Sequence, residues 1–338
     1  GYKKLVIKMK KILQYLFEHK TLTRHAAKEL LLSMSSGAYN DSELASLMTV
    51  FLMRSITIAE LQGFRDALLE LAVPVNLGTH DLLDIVGTGG DGKNTFNIST
   101  LSCFIVAGAG QKVAKHGNYG ASTISGSSNV MEQLGYVFKN DGNALQKELD
   151  AANICFLHAP LFHPALKLVG PIRKNLGVRT FFNMLGPLVN PAKPAHQLIG
   201  VYSLEMARIY HYLLQEEGIN YTIIHGLDGY DEISLTSDTK IFTAKGERIV
   251  SATSLGKRIV FPDDLVGGDT VEASAAIFLK IIKGEGTMAQ NAVVLANAAS
   301  ALFATHKYTT YDDAYAAAVD SLDSQKAYQV LQQLIALQ

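Results

Sequence analysis

Residues 82–109 run from an apolar stretch through a glycine loop into a second, small-residue stretch, and few folds accept that order. Leu82–Val86 predicts a short apolar strand, Gly87-Thr88-Gly89-Gly90-Asp91-Gly92-Lys93-Asn94 the loop, and Ser99–Ala109 a helix. Glycines at such a junction let the backbone approach an anion, and the helix that follows offers free N–H groups. The rest of the chain repeats the alternation. Val113-Ala114, Ile154–Leu157, Leu198–Val201 and Tyr221–Ile224 are buried-strand candidates, separated by helical stretches at 129–134, 143–151, 164–176 and 203–217. Such alternation implies an α/β fold with a mainly parallel sheet covered by helices. Ile233-Ser234-Leu235 and Ile241-Phe242-Thr243, with a turn at Lys245-Gly246, suggest short antiparallel strands, and the chain from Val271 is helical.

The first seventy-odd residues differ. Ala26, Ala27, Leu30, Leu31 and Met34 keep helical spacing; Asn40-Asp41-Ser42-Glu43 starts a helix carrying Leu44, Leu47, Met48, Phe51 and Leu52; Thr57 and Glu60 form a capping box before Leu61, Phe64, Leu68 and Leu71. These stripes predict a small helical bundle, ended by Pro74. The expected organisation is a helical domain over 1–77, joined by part of 171–195, and an α/β domain over 78–338, with the site in the cleft between them.

The glycine loop admits three readings. Gly87, Gly89 and Gly92 satisfy a dinucleotide fingerprint, which also needs an acid about twenty residues on. No Asp or Glu occurs between Asp91 and Glu132. Gly87, Gly92 and Lys93 approach a P-loop, but Asn94 stands where Ser or Thr should hold Mg²⁺. The third reading uses the acid-free stretch itself. With 31 acids in 338 residues, these forty residues should carry about four; they carry none, yet hold Lys93, Lys112, Lys115 and His116. That suits a small anionic ligand held by lysine charge, hydroxyls and backbone. Lys115-His116-Gly117-Asn118 follows the Val113 strand, and the small polar run from Tyr119 to Ser128 makes a second anion-binding concavity.

These motifs carry a resemblance. Gly87-Thr88-Gly89-Gly90-Asp91, Asn97-Ile98-Ser99-Thr100, Lys115-His116-Gly117-Asn118, His163-Pro164-Ala165, Pro171-Ile172-Arg173, Asn183-Met184-Leu185-Gly186-Pro187 and His225-Gly226-Leu227-Asp228-Gly229-Tyr230-Asp231-Glu232 stand in one order. In that order they resemble the anthranilate phosphoribosyltransferase family, of the nucleoside-phosphorylase-like phosphoribosyltransferase class. The resemblance implies transfer of phosphoribose from phosphoribosyl pyrophosphate to the anthranilate amine, in tryptophan biosynthesis. It implies that Gly87, Gly90, Asp91, Thr95, Asn97, Ile98, Ser99 and Thr100 cradle pyrophosphate and ribose. Lys115, His116, Gly117, Asn118, Tyr119, Gly120, Ala121, Ser122 and Thr123 would close over the phosphates, with Ser127 adding a contact. Asp231 and Glu232 would hold one Mg²⁺ and Ser99 would contribute to a second, since Mg²⁺ takes hard oxygen ligands. Arg173 would bind the anthranilate carboxylate through its guanidinium fork, with Gly87, His116 and Asn118 lining the same pocket. No strong general base is evident. The family commonly has Arg where this chain has Tyr119, and Ala-Asp where it has Ser128-Asn129. A homodimer through the helical domain is also implied.

Composition narrows the alternatives. Thirty Lys and Arg against 31 acids give net −1, which disfavours a nucleic-acid or membrane-surface binder. Only Cys103 and Cys155 occur, no apolar run spans a membrane, and Gly1–Lys4 precede no leader-like segment, so a reducing cytoplasm is expected. A pyrimidine nucleoside phosphorylase has no need for a diphosphate-bound metal pair. A non-catalytic relative that binds nucleotide or nucleic acid would not need Asp231-Glu232.

Overall fold

The computed structural model describes residues 7–78, 81–120 and 123–338. The chain divides into two compact units, one formed by the described residues up to Pro74 with Ala159–Pro191, the other by Val75–His158 with Ala192–Gln338.

The first unit is helical. Met9–Phe17, Arg24–Ser35, Asp41–Met53 and Ile58–Leu71 are helices with the apolar stripes inward, except that Leu52, expected in the stripe, is exposed. Asn40/Glu43 and Thr57/Glu60 both close reciprocal caps, satisfying amides that a helix start leaves open. The segment after Ala159 joins this unit because its aromatics complete the core: the Phe181 ring stacks on Phe64 at 4.6 Å and packs edge-on against Phe51 at 5.1 Å. The segment therefore enters at 159 rather than 171. The helix expected over 164–176 is broken into a short 3₁₀ turn, Pro164–Lys167, and a helix, Gly170–Leu176. Pro171 cannot continue a helix from upstream and instead occupies its first turn.

The second unit contains one seven-stranded sheet. Its strands are β1 (Leu83–Gly87), β2 (Val113–Gly117), β3 (Ile154–His158), β4 (His196–Gly200), β5 (Asn220–Gly226), β6 (Thr239–Thr243) and β7 (Gly246–Val250), in spatial order β3-β2-β1-β4-β5-β6-β7. β1 to β5 are parallel and β6 and β7 antiparallel. The parallel strands are largely buried, as strands between helical layers are, though Asp84, Lys115, His116, Gln197 and His225 lie within them; Leu83, Ile85, Val113, Ile154, Phe156, Leu198 and Ile224 share one core with the helices Ile98–Gly108, Val271–Ile282 and Met288–Ala304.

Two local expectations are corrected. Ile233–Leu235 is not a strand; it belongs to an irregular segment between β5 and β6. The helix expected from Asn129 begins at Ser127, so Asn129 lies inside its first turn rather than ahead of it. No helix among the described residues is long and apolar enough to cross a membrane.

Candidate active site

In an open parallel sheet ligands bind beyond the carboxyl ends of the strands, where the strand order reverses. Here that point lies between β1 and β4. The loops leaving β1, β2 and β5 carry the three motifs singled out from sequence: the glycine loop after Gly87, Lys115 to Ser128, and the segment holding Asp231 and Glu232.

The acidic pair sits against the glycine loop. Asp231 Oδ2 accepts the Gly89 N–H at 2.9 Å, and the Asp231 N–H reaches Asp91 Oδ2 at 3.4 Å. Glu232 Oε1 accepts from Ser99 twice, from Oγ–H at 2.9 Å and from the backbone N–H at 3.3 Å. Ser99 lies in the first turn of Ile98–Gly108, so Glu232 occupies one of the open amides of that helix start. Such proximity requires glycine on the strands. A Cβ on Gly200 would lie 1.6 Å from the Asp231 carbonyl oxygen, and one on Gly87 2.6 Å from Asp231 Oδ2.

This cluster is electrostatically strained. Burial, then the Glu232 and Asp91 charges, push Asp231 well above the usual carboxylate range. Burial and Asp91 push Glu232 up to about 7, against the opposing hydrogen bonds from Ser99. Glu232 Oε2 is buried and accepts no hydrogen bond among the described residues. Two half-buried carboxylates with an unused oxygen, beside a hydroxyl and an anion-binding loop, fit a hard divalent cation. Among the described residues no three His, Cys, Asp or Glu side chains form a ready metal cage. Mg²⁺ typically needs only one or two carboxylates, completing its shell with water and substrate phosphates.

The second loop is pinned from within. Asn129 Oδ1 accepts the N–H groups of Gly120 and Gly126, both at 2.9 Å, and Asn97 Nδ2 donates to the Ser125 carbonyl at 2.9 Å. The Tyr119 hydroxyl donates to Glu132 at 2.8 Å, while its ring stands edge-on to His158 at 4.9 Å. Glu132 therefore anchors Tyr119 instead of closing a capping box with Asn129.

A family model described as "Glycosyl transferase family, a/b domain" matches residues 79–328, and one described as "Glycosyl transferase family, helical bundle domain" matches residues 10–72. The anthranilate phosphoribosyltransferase of Christiangramia forsetii is 55% identical over 326 residues, covering 96% of this chain and 98% of that protein. That of Bacteroides fragilis strain YCH46 is 52% identical over 329 residues, covering 97% and 99%. This chain belongs to the anthranilate phosphoribosyltransferase family. The crystal structure of the Thermus thermophilus enzyme superposes with a TM-score of 0.90 at 32% identity, covering 96% of this chain and 98% of that one. The Saccharomyces cerevisiae enzyme in complex with PRPP and Mg gives 0.89 at 25% identity, covering 97% of each.

The remaining candidates of this family member are distributed as follows. Thr95 pairs with Val266 in an isolated bridge, and Lys93 Nζ lies 4.8 Å from the Tyr230 ring centre. The side chains of Ile98 and Thr100 are buried, so the Ile98 side chain belongs to the core. Lys115 is buried, its ammonium bonded to the Ile85 carbonyl at 2.5 Å. His116 is buried and its N–H reaches Asp84 at 3.3 Å. Asn118 is exposed, and its Oδ1 accepts the Tyr119 N–H at 2.8 Å. The Ser127 hydroxyl reaches the Asn118 carbonyl at 3.4 Å, and a Cβ on Gly117 would lie 2.3 Å from that hydroxyl. Gly90 takes a left-handed φ of 73° in the loop, and Thr123 is half-buried. Ala121 and Ser122 lie outside the described residues. Arg173 belongs to the helical unit. It is half-buried, with its guanidinium 5.6 Å from the Phe182 ring centre and no carboxylate in ion-pair range among the described residues.

Sequence reasoning missed three supports. Gly200 lies inside the Leu198–Val201 strand candidate and belongs to none of the motifs. Gly267 donates its N–H to the Asn94 carbonyl at 2.8 Å, fastening the glycine loop from a segment 173 residues away. Asp84 is a carboxylate inside an otherwise apolar strand, a visible signal left unread.

Proposed function

We infer that this chain transfers phosphoribose from phosphoribosyl pyrophosphate to the amine of anthranilate, releasing pyrophosphate, in tryptophan biosynthesis. The observation that carries the site assignment is the half-buried Asp231–Glu232 pair, bonded to Gly89 and Ser99 at the mouth of a glycine loop. Asp231, Glu232 and Ser99 would hold Mg²⁺, two ions in our reading. When bound, Mg²⁺ neutralises charge on the diphosphate leaving group.

The chain's own residues do the rest. The loop amides from Gly87 to Asp91, the helix start at Asn97–Thr100 and the Thr95 region receive pyrophosphate and ribose. The loop from Lys115 to Thr123, with Ser127, covers the phosphates. Pinning by Asn129 supports that role, because a preset loop loses less entropy on binding. Arg173 binds the anthranilate carboxylate. Its support is a half-buried guanidinium, against the Phe182 ring, with no carboxylate in ion-pair range among the described residues. Gly87, His116 and Asn118 would orient the amine. An aromatic amine loses its proton late, so transfer proceeds without a strong base.

The homodimer rests on the helical unit. Phe17 and Met53 are 61% and 83% exposed, and they line an apolar groove of about 430 Å³ with Leu16, Ala45 and Val50. A contiguous apolar patch of this kind marks an interaction surface. The cytoplasmic assignment agrees with two free, buried thiols, Cys103 and Cys155.

The decisive assay follows anthranilate fluorescence with phosphoribosyl pyrophosphate, with and without Mg²⁺. Mg²⁺-dependent loss matched by pyrophosphate release is expected. No loss from folded protein that still binds phosphoribosyl pyrophosphate would reject the acceptor.

A further inference from the structure

The Asp231–Glu232 pair is followed by backbone that no strand supports. Residues 231–237 belong to neither helix nor strand, and the fully buried Leu235 sits at φ 60°. That left-handed conformation costs a non-glycine residue about 1–3 kcal/mol and persists only where its surroundings over-determine it. Leu235 itself is held by Val260, whose N–H donates to its carbonyl at 2.9 Å; two residues earlier, Ile233 is held by the helix Met288–Ala304, through Asn297.

Asn297 is buried among alanines. Its Oδ1 accepts the Ile233 N–H at 3.1 Å, and its Nδ2 donates to the Ile233 carbonyl at 2.8 Å. One amide thereby satisfies both backbone groups of one residue, as a neighbouring strand would. Nδ2 also donates to the Val293 carbonyl at 2.9 Å, one turn back in its own helix, which fixes the amide's orientation. Aspartate lacks the donor, leucine lacks donor and acceptor, and glutamine is one methylene too long for the same helix position. Gly89 and Ser99 hold the carboxylates themselves; Asn297 holds the backbone directly behind them.

We propose that Asn297 is a positioning residue for the metal-ligand pair. By clamping Ile233 it fixes where Asp231 and Glu232 present their oxygens to a divalent cation. The proposal rests on the phosphoribosyltransferase reading above. It assigns function to an asparagine that composition alone shows as one polar residue in an alanine-rich helix.

The test compares Asn297→Ala and Asn297→Asp with Tyr136→Phe, a control that removes another buried hydrogen bond, the one from Tyr136 to Glu148 at 2.7 Å. Mn²⁺ binding in the presence of phosphoribosyl pyrophosphate is read from the electron paramagnetic resonance of free Mn²⁺. Mg²⁺ half-saturation and the KM for anthranilate are read from the fluorescence assay. Loss of an outer support typically weakens metal binding about ten- to a hundredfold. Asn297→Ala is expected to weaken Mn²⁺ by at least about tenfold, with an unchanged KM for anthranilate and kcat largely recovered at saturating Mg²⁺. Asn297→Asp keeps the acceptor, loses the donors and decides the matter if the alanine variant fails to fold. Tyr136→Phe loses thermal stability and keeps wild-type Mn²⁺ affinity. A folded Asn297 variant with wild-type Mn²⁺ affinity overturns the proposal, as does an equal loss in Tyr136→Phe. Wild-type protein that takes up no Mn²⁺ with phosphoribosyl pyrophosphate overturns the metal reading itself.

Discussion

Substituting Glu232 by glutamine should stabilise the metal-free protein while removing its Mg²⁺-dependent activity. Glu232 is held at about 7 rather than its ordinary 4.5, and burial is the larger cause. Because the folded state keeps its proton to higher pH than the unfolded chain does, stability falls as pH rises from 4.5 towards 7. Above 7 the full cost of the buried charge is present. At about 1.4 kcal/mol per pH unit, the gap amounts to about 3 kcal/mol. Glutamine keeps the acceptor for Ser99 and removes the charge beside Asp231 and Asp91, so Glu232→Gln should recover most of this. In a unit of this size that corresponds to a rise in Tm on the order of 5–10 °C. The assay is thermal denaturation in chelator at pH 5 and pH 8, repeated at pH 8 with Mg²⁺ and phosphoribosyl pyrophosphate. The variant should gain at pH 8 and little at pH 5, and ligand should stabilise the wild type more than the variant. A variant no more stable than wild type at pH 8, or an equal gain at both pH values, would refute the reasoning.

Four further outcomes follow from the geometry. Arg173→Ala should raise the KM for anthranilate by about 10–100-fold, the loss of one charged hydrogen-bonded pair, and leave the KM for phosphoribosyl pyrophosphate unchanged; equal rises in both would remove the carboxylate role. Gly200→Ala places a methyl group 1.6 Å from the Asp231 carbonyl; steady-state kinetics should show activity nearly abolished while circular dichroism reports a folded protein. Asn129→Ala releases Gly120 and Gly126 together and should raise the KM for phosphoribosyl pyrophosphate selectively, an unchanged value meaning that the loop is not preset. Phe181→Ala should cost about 3–5 kcal/mol in denaturant unfolding of the helical unit, because its ring completes the Phe51–Phe64 cluster.

Much of this was legible in the chain, in an uneven way. The strand candidates at 82–86, 113–114, 154–157, 198–201 and 221–224 each coincide with a strand, because short apolar clusters are what strands buried on both faces need. Capping boxes at Asn40 and Thr57 were readable because donor and acceptor lie three residues apart. The Asn129 box failed on the same grounds. Its side chain faces backwards: it accepts from Gly126, three residues before it at the true helix start, and from Gly120, nine before it, and spacing alone cannot rank these against Glu132.

What the sequence determined by itself is what depends on neighbours along the chain: the strand–loop–helix junction, the acid-free stretch, the adjacency of Asp231 and Glu232, and the motif order that carries the family. What only the tertiary structure decided depends on close approach. Gly200 matters because another backbone passes against it, Gly267 because its amide meets Asn94, and Asn297 because a helix side chain there supplies the hydrogen bonds of a missing strand. Electrostatics divide the same way. Asp231 and Glu232 are ordinary acids in the sequence, and their raised titration comes from burial beside Asp91, which lies 140 residues away in the chain and in contact only once the parallel sheet has formed.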